Sequence, residues 1–178
     1  MSTKLVKKLI DGLNILVADG NPYMRKVTRI MLMNLGAKSV IEVGDGLGAL
    51  EAIRTSDPDV MLLDWDMPIL SGPEVLRIVR SPGVFPRPNL PIIMLTYRAE
   101  RHFVNEAMRA GVHEFLIKPT SPKALQDRLM SILMRPRPML QVGDSYVPKP
   151  RRQTQRDQSR ANEPSHIDHM QLNAMLAS

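Results

Sequence analysis

The hydrophobic residues of this chain are concentrated in short continuous runs, and each run stops at a polar residue. Four such runs occupy residues 15–17, 60–63, 92–95 and 115–117, and the polar residues that end them are Asp19, Asp64, Thr96 and Lys118. Runs of this length are typical of strands that are buried on both faces of a parallel sheet. Ligands bind such sheets beyond the carboxyl ends of the strands. The pattern therefore predicts that two carboxylates, a hydroxyl and an ammonium group converge on one crevice, a set that suits a cation together with a phosphoryl group.

The segments between these runs have the length and the end signals of helices. Asn21 can cap a helix that Pro22 opens, and Gly36 can end it. Over residues 12–134 the pattern alternates between strand and helix five times, which predicts a repeated βα architecture. The predicted helices cover residues 22–35, 47–56, 72–81, 99–110 and 121–134.

The length of the chain limits it to one ordinary domain and an appendage. It has 178 residues, of which 43% are hydrophobic and 24% are charged, and these fractions are ordinary for folded globular proteins. The basic start is followed by an apolar stretch that Asp11 and Asn14 interrupt, so we expect neither a signal peptide nor a membrane span, and a cytoplasmic location. The absence of cysteine excludes disulfides and thiolate metal sites, and the four histidines lack metal-site spacing and are expected to be exposed.

The composition changes after Met134. Residues 135–178 are rich in proline and arginine and carry seven basic and four acidic side chains, and little in them could form a core. We therefore expect a globular domain over residues 1–134 and a mostly irregular tail over residues 135–178. A short strand near the start of the tail and a short terminal helix after Ser165 are the regular elements that its pattern allows. A basic tail can bind nucleic acid or an anionic partner, but a solvated linker is the simpler interpretation.

Several motifs of the chain follow the order and spacing of a known family. These motifs are residues 59–68 (DVMLLDWDMP), Ser71-Gly72, Thr96, Ala110-Gly111 and Lys118-Pro119. Over residues 12–134 the sequence resembles the receiver domain of response regulators in two-component signalling, and it is similar to the single-domain chemotaxis type with an added C-terminal tail. The resemblance implies a flavodoxin-like fold, with a doubly wound five-stranded parallel sheet and helices on both faces.

The resemblance also implies that Asp64 accepts a phosphoryl group from a histidine kinase or a phosphotransfer protein. A carboxylate can attack phosphorus once a divalent cation and a nearby ammonium group reduce the repulsion between like charges. By the same resemblance, Lys118 supplies the fixed positive charge, and Asp19, Asp64 and the backbone carbonyl of Asp66 hold Mg²⁺. Such a chain is expected to be a phosphoryl acceptor and not an enzyme.

Two further residues match the switch positions of the family. Thr96 would donate its hydroxyl to the new phosphoryl group and draw its loop inward, and Phe115 would follow that movement. Alternatively, Thr96 is an ordinary strand-end hydroxyl and Phe115 an ordinary core side chain. The face formed by Thr96, residues 99–110 and Phe115 is the expected contact surface for an unidentified downstream target protein, and it is a candidate surface for a homodimer.

The chain departs from the family at one position. Receivers carry two adjacent acidic residues after the first strand, and here the corresponding pair is Asp19-Gly20. The missing member is the one that touches the metal directly in the family. Affinity for hard cations follows the charge of the ligands, so we expect weak Mg²⁺ binding. The Asp66 side chain could restore part of the charge, directly or through a water, in which case Asp66→Asn would lower the Mg²⁺ affinity.

Two main interpretations of function follow. The first is a working receiver that signals through a surface change, because the tail is too short and too rich in proline for the usual DNA-binding output domain. The second is a pseudo-receiver that binds a protein independently of phosphorylation, through its tail or the Thr96 face. Gly20 favours the second interpretation, whereas Asp64, Thr96 and Lys118 oppose it. Nucleic-acid binding through residues 149–160 has little support because no aromatic residues are interleaved there, and only the acidic crevice argues for an independent hydrolase.

Overall fold

A five-stranded parallel sheet forms the centre of the molecule. The structure is a computed structural model and describes residues 8–151. The strands have the spatial order β2-β1-β3-β4-β5, and they are β1 (Asn14–Ala18), β2 (Ser39–Val43), β3 (Val60–Asp64), β4 (Ile92–Thr96) and β5 (Glu114–Ile117). Every neighbouring pair is parallel. The chain winds outward from β1 in both directions, so the point where the winding direction reverses lies between β1 and β3.

Helices connect the strands and cover the sheet. They are α1 (Pro22–Leu35), α2 (Gly46–Ser56), α3 (Gly72–Arg80), α4 (Arg101–Arg109) and α5 (Pro122–Met134). The predicted βα alternation and the flavodoxin-like fold are therefore confirmed, and each helix begins and ends within two residues of its predicted bounds. Asn21 caps α1 as expected, since its Oδ1 accepts the backbone N–H groups of Tyr23 and Met24. Within residues 8–151, no helix has the length and apolar character needed to cross a membrane.

Apolar side chains cover both faces of the central strands, which explains the continuous hydrophobic runs. All residues of β3 and β4 are buried. Because side chains alternate along a strand, Met61 and Leu63 enter one core, whereas Val60 and Leu62 enter the other. The cores on the two faces together fix the carboxyl ends of these strands.

The described part of the tail contains the short strand that its pattern allows and a second strand that was not predicted. Strands β6 (Met139–Val142) and β7 (Ser145–Pro148) form an antiparallel hairpin. The backbone N–H of Lys149 extends the pairing by donating to the carbonyl of Pro138 at 2.9 Å. The predicted terminal helix after Ser165 lies outside the described residues.

Contacts with the sheet and its helices hold this hairpin in place. Gly111 has φ +99°, and a Cβ at this position would lie 2.6 Å from the carbonyl oxygen of Tyr146, so the hairpin approaches the turn before β5 closely. Arg151, just beyond the hairpin, forms an ion pair with the buried carboxylate of Glu114, the first residue of β5. The hairpin is therefore attached at the amino end of β5, away from the carboxyl ends of the strands.

A fully buried arginine, Arg80 at the end of α3, joins three segments of the chain. Its Nη1, Nη2 and Nε donate at 2.7, 2.8 and 2.9 Å to the backbone carbonyls of Pro88, Leu90 and Gly111. Burial lowers the pKa of Arg80 to about 9, which leaves the guanidinium protonated at neutral pH. The nearby His113 is buried, contrary to the exposed position that was expected. Burial, followed by the charge of Arg80, lowers the pKa of His113 to about 3, so this imidazole is neutral.

Arg80→Met should lower the free energy of unfolding by about 3 kcal/mol, because three backbone carbonyls lose their hydrogen-bond donor. The matched control is Arg77→Met on the exposed face of the same helix, which should change stability by less than about 0.5 kcal/mol. Urea unfolding followed by Trp65 fluorescence measures both variants. Two equally small losses would show that these carbonyls do not depend on Arg80.

Candidate functional site

Three buried charged side chains meet at the carboxyl edge of the sheet. Asp19 follows β1, Asp64 ends β3 and Lys118 follows β5. The Nζ atom of Lys118 lies 2.6 Å from Oδ2 of Asp19 and 2.9 Å from Oδ1 of Asp64. Asp19 is 0% exposed, Asp64 is 7% exposed and Lys118 is 5% exposed. The structure thus brings together three of the residues that the sequence singled out.

The turn after β1 holds Asp19 in place. The backbone N–H of Asn21 donates to Oδ1 of Asp19 at 2.8 Å, while Oδ2 of the same carboxylate contacts Lys118. Nη1 of Arg25, on α1, donates to the backbone carbonyl of Asp19 at 2.7 Å. Since Asn21 also caps α1, the start of this helix and the orientation of the carboxylate are fixed together.

Two carboxylates share one ammonium group at this edge, which leaves an excess of negative charge. Burial raises the pKa of Asp64, and the charge of Asp19 raises it further, against the lowering effect of Lys118. Burial by itself would lower the pKa of Lys118, but its hydrogen bonds with Asp19 and Asp64 raise it above its ordinary value. Lys118 therefore stays protonated, and a further cation would relieve the repulsion between the carboxylates.

Thr96 is fully buried and ends β4, between the strands that carry Asp64 and Lys118. Its hydroxyl oxygen accepts the backbone N–H of Arg98 at 3.0 Å. Its carbonyl accepts the backbone N–H of Lys118 at 2.7 Å. The hydroxyl therefore lies at the predicted edge and holds the loop that leads to α4.

Two aromatic residues flank this part of the site. Phe115 is half-buried on β5, paired with Met94 of β4, and packs against one of the cores, which is compatible with both of its predicted roles. Tyr97 is 61% exposed, and Nζ of Lys118 lies 5.3 Å from its ring centroid. Tyr97 was not predicted as a site residue, and its only signal in the sequence is its position directly after Thr96.

The Asp66 carboxylate is bound by an arginine and not by Lys118. Its Oδ1 accepts Nη2 of Arg98 at 2.9 Å, and its Oδ2 accepts Nε of the same guanidinium at 3.3 Å. Among residues 8–151, no three or more histidine, aspartate or glutamate side chains are arranged to hold a metal ion together. Arg98 was also not predicted, because its partner is far away in the sequence.

The oxygen atoms at this edge suit a hard divalent cation. A cavity of about 550 Å³ is lined by residues that include Asp19, Asp64 and Asp66. A Cβ built on Gly20 would lie 3.5 Å from the carbonyl oxygen of Asp66 and 3.1 Å from Cδ of Pro68, so this carbonyl faces the position where a second acidic side chain would begin. Carboxylate and carbonyl oxygens are the ligands that Mg²⁺ prefers. The donor set fits Mg²⁺, with less ligand charge than two adjacent acidic residues would give.

Sequence comparison identifies relatives of the whole sheet and its helices. The family model for the response regulator receiver domain matches residues 15–130. Chemotaxis protein CheY-3 of Vibrio cholerae is 32% identical over 124 residues, which cover 70% of this chain and 94% of that protein. Chemotaxis protein CheY of Pseudomonas aeruginosa is 32% identical over 123 residues, which cover 69% of this chain and 98% of that protein. Chemotaxis protein CheY1 of Helicobacter pylori is 33% identical over 122 residues, which cover 68% of this chain and 97% of that protein.

Solved structures give the same result. The receiver domain of the Pseudomonas aeruginosa sensor histidine kinase PA1611, with a magnesium ion coordinated in its active site cleft, has a TM-score of 0.62 and 30% identity, covering 69% of this chain and 98% of that one. Chemotaxis protein CheY4 of Vibrio cholerae has a TM-score of 0.62 and 27% identity, covering 68% and 99%. The predicted similarity to chemotaxis-type receivers is confirmed. On this evidence the chain belongs to the response regulator receiver domain family of two-component signalling.

Proposed function

We propose that this receiver accepts a phosphoryl group on Asp64 and passes the signal on through a change of its surface. One observation carries the proposal: the ammonium group of Lys118 lies 2.6 and 2.9 Å from the carboxylates of Asp19 and Asp64 in a buried site. The phosphoryl donor would be the phosphohistidine of a histidine kinase or a phosphotransfer protein. The downstream partner would be a protein, and the chain would act in the cytoplasm.

The chemistry follows from the positions of the charges. One oxygen of Asp64 attacks the phosphorus and forms an O–P bond, while the P–N bond to the donor imidazole breaks and its electron pair remains on the nitrogen. Lys118 orients Asp64 and places positive charge next to the arriving phosphoryl oxygens. Asp19, Asp64 and the Asp66 carbonyl would hold Mg²⁺, which when bound offsets the repulsion between carboxylate and phosphoryl group. Because Asp64 is itself modified, the proposed role is that of a phosphoryl acceptor and not of an enzyme.

Thr96 and Phe115 are the residues that we propose convert phosphorylation into movement. The hydroxyl of Thr96 accepts the backbone N–H of Arg98, so turning it toward a phosphoryl group on Asp64 would release that N–H and move the loop before α4. Phe115 lies on the next strand and would follow. This role gives Thr96 a function beyond that of an ordinary strand-end hydroxyl.

The proposed contact surface lies beside these moving groups. It comprises α4 with the exposed side chains of Tyr97 and Ile117, which are 61% and 45% accessible. Exposed apolar side chains beside a moving loop suit a protein partner. We assign this surface to the downstream target, and it is also the candidate surface for a homodimer.

A pseudo-receiver is the second candidate function. Two observations favour it: Gly20 lacks the second acidic side chain, and the Asp66 carboxylate is engaged by Arg98. In that case the fold would bind its partner without phosphorylation. The phosphorylation experiment below separates the two functions.

Incubation with acetyl phosphate across a Mg²⁺ series should produce one phosphoryl adduct, detected by intact-protein mass spectrometry. The adduct should require Mg²⁺ and should disappear in Asp64→Ala. Asp59→Ala, which removes an exposed aspartate at the other end of β3, should retain it. A folded protein with no adduct at any Mg²⁺ concentration would overturn the proposal and favour the pseudo-receiver.

Gly20→Asp should tighten Mg²⁺ binding by roughly tenfold, because it adds a charged oxygen ligand next to the Asp66 carbonyl. Gly20→Asn is the matched control, since it adds the same volume and a neutral oxygen and should change the affinity far less. A Mg²⁺ titration followed by fluorescence of the single Trp65 gives both affinities. Equal affinities in the two variants would show that ligand charge at this position does not limit binding.

Asp64→Asn should stabilise the fold although it removes the phosphoryl acceptor. Because burial raises the pKa of Asp64, the folded state disfavours the ionised carboxylate relative to the unfolded state. We expect Tm to rise by a few degrees at neutral pH, and the gain to vanish below the ordinary pKa of 3.8, where Asp64 is protonated in both states. Asp144→Asn, at an exposed turn, serves as the control. A lower Tm at neutral pH would mean that the ion pair with Lys118 outweighs burial.

A further inference from the structure

An exposed two-point ion pair involves one of the residues that line the cavity of the site. Asp66, two residues after the proposed phosphoryl acceptor, binds Nη2 and Nε of Arg98 at 2.9 and 3.3 Å. The two side chains are 59% and 42% exposed. The pair therefore links the loop after β3, where Asp66 lines the cavity, to the loop after β4.

Arg98 also contacts the start of α4 and the proposed switch residue. Its Cζ atom lies 4.8 Å from the ring centroid of Phe103, in the first turn of α4. The Phe103 ring packs edge-on against Trp65 with the centroids 5.4 Å apart. The backbone N–H of Arg98 donates to the hydroxyl of Thr96. Arg98 thus contacts the proposed metal loop and the contact helix through its side chain, and the switch hydroxyl through its backbone N–H.

We propose that the Asp66–Arg98 ion pair is a latch that opens when a divalent cation binds, before any phosphoryl transfer. This inference rests on the magnesium site of the proposed function. Asp19 and Asp64 already share Lys118, so Asp66 is the acidic side chain of the cavity that can turn toward added positive charge. Arg98 holds both Asp66 oxygens in one orientation, so turning the carboxylate toward the cation breaks this two-point contact. Opening the latch frees the guanidinium from its anchor and loosens its stacking on Phe103.

The latch should be weak enough for a divalent cation to open. Exposed ion pairs contribute little to stability because solvent screens them. The free energy needed to break this pair lowers the affinity for the cation by the same amount. Arg98→Gln should therefore tighten Mg²⁺ binding by about twofold to fivefold. The Thr96 contact uses the backbone of Arg98 and is retained in this variant.

The first test is a Mg²⁺ titration of the full chain without phosphodonor, followed by Trp65 fluorescence. The variants are Arg98→Gln, Asp66→Asn and the double variant, and the charge control is Arg101→Gln at the exposed first residue of α4. We expect Arg98→Gln to bind Mg²⁺ more tightly than Arg101→Gln, and Asp66→Asn to bind it more weakly than the wild-type chain. When Arg98→Gln is added to Asp66→Asn, the Mg²⁺ affinity should rise by no more than it does in Arg101→Gln. Equal gains in Arg98→Gln and Arg101→Gln would reduce the effect to net charge and overturn the latch.

Amide hydrogen exchange gives an independent readout. Mg²⁺ alone should raise exchange over residues 98–103 of the wild-type chain, whereas Arg98→Gln should exchange fast without Mg²⁺ and respond no further. If Mg²⁺ changed neither the amide hydrogen exchange nor the Trp65 fluorescence of the wild-type chain, the latch would also be refuted. The acetyl phosphate assay separates this failure from that of the proposed function: an Asp64 adduct without a latch response refutes only the latch, and a latch response without an adduct refutes only phosphoryl acceptance.

Discussion

The ammonium group of Lys118, held between two buried carboxylates, is the interaction around which the functional edge of the structure is arranged. Charges buried in a protein are costly unless they are paired at close range, and here Asp19 and Asp64 compete for a single partner. Such an arrangement persists only where the backbone that carries each group is rigid. The apolar packing on both faces of the sheet supplies that rigidity, because it fixes the strand ends from two sides.

The incomplete charge balance is what gives the site its chemistry. A third carboxylate partner for Lys118 would make the site more repulsive to phosphate, and a second ammonium group would pair both carboxylates and remove the attraction for a cation. With two carboxylates to one ammonium, the edge attracts a divalent cation and keeps Asp64 near fixed positive charge. The Thr96 carbonyl at the end of β4 accepts the backbone N–H of Lys118, so the position of Lys118 is fixed by the neighbouring strand.

The sequence predicted those parts of the molecule that local patterns determine. Continuous apolar runs marked β3 and β4, and cap residues marked the helix bounds, because burial on both faces and capping leave short-range signals. The half-buried edge strand β2 leaves a weaker signal, because Ser39 and Glu42 break up its apolar residues. Contacts between residues that are distant in the chain leave no signal in the local sequence. For this reason the burial of Arg80 and His113, the docked hairpin and the role of Arg98 could not be predicted. The site residues were found because a parallel sheet converts strand-end positions into neighbours in space.

Asp66 shows how far such reasoning extends and where it stops. Its carbonyl lies beside Gly20, but no sequence pattern reveals that its carboxylate is bound by a guanidinium from the next loop. The absence of a second acidic residue at Gly20 and the engagement of Asp66 act in the same direction, since each reduces the negative charge offered to a cation. Under the proposed latch, cation occupancy depends on releasing Arg98, whose stacking on Phe103 ties it to α4. The proposal therefore links metal binding and the order of the contact surface through one exposed side chain.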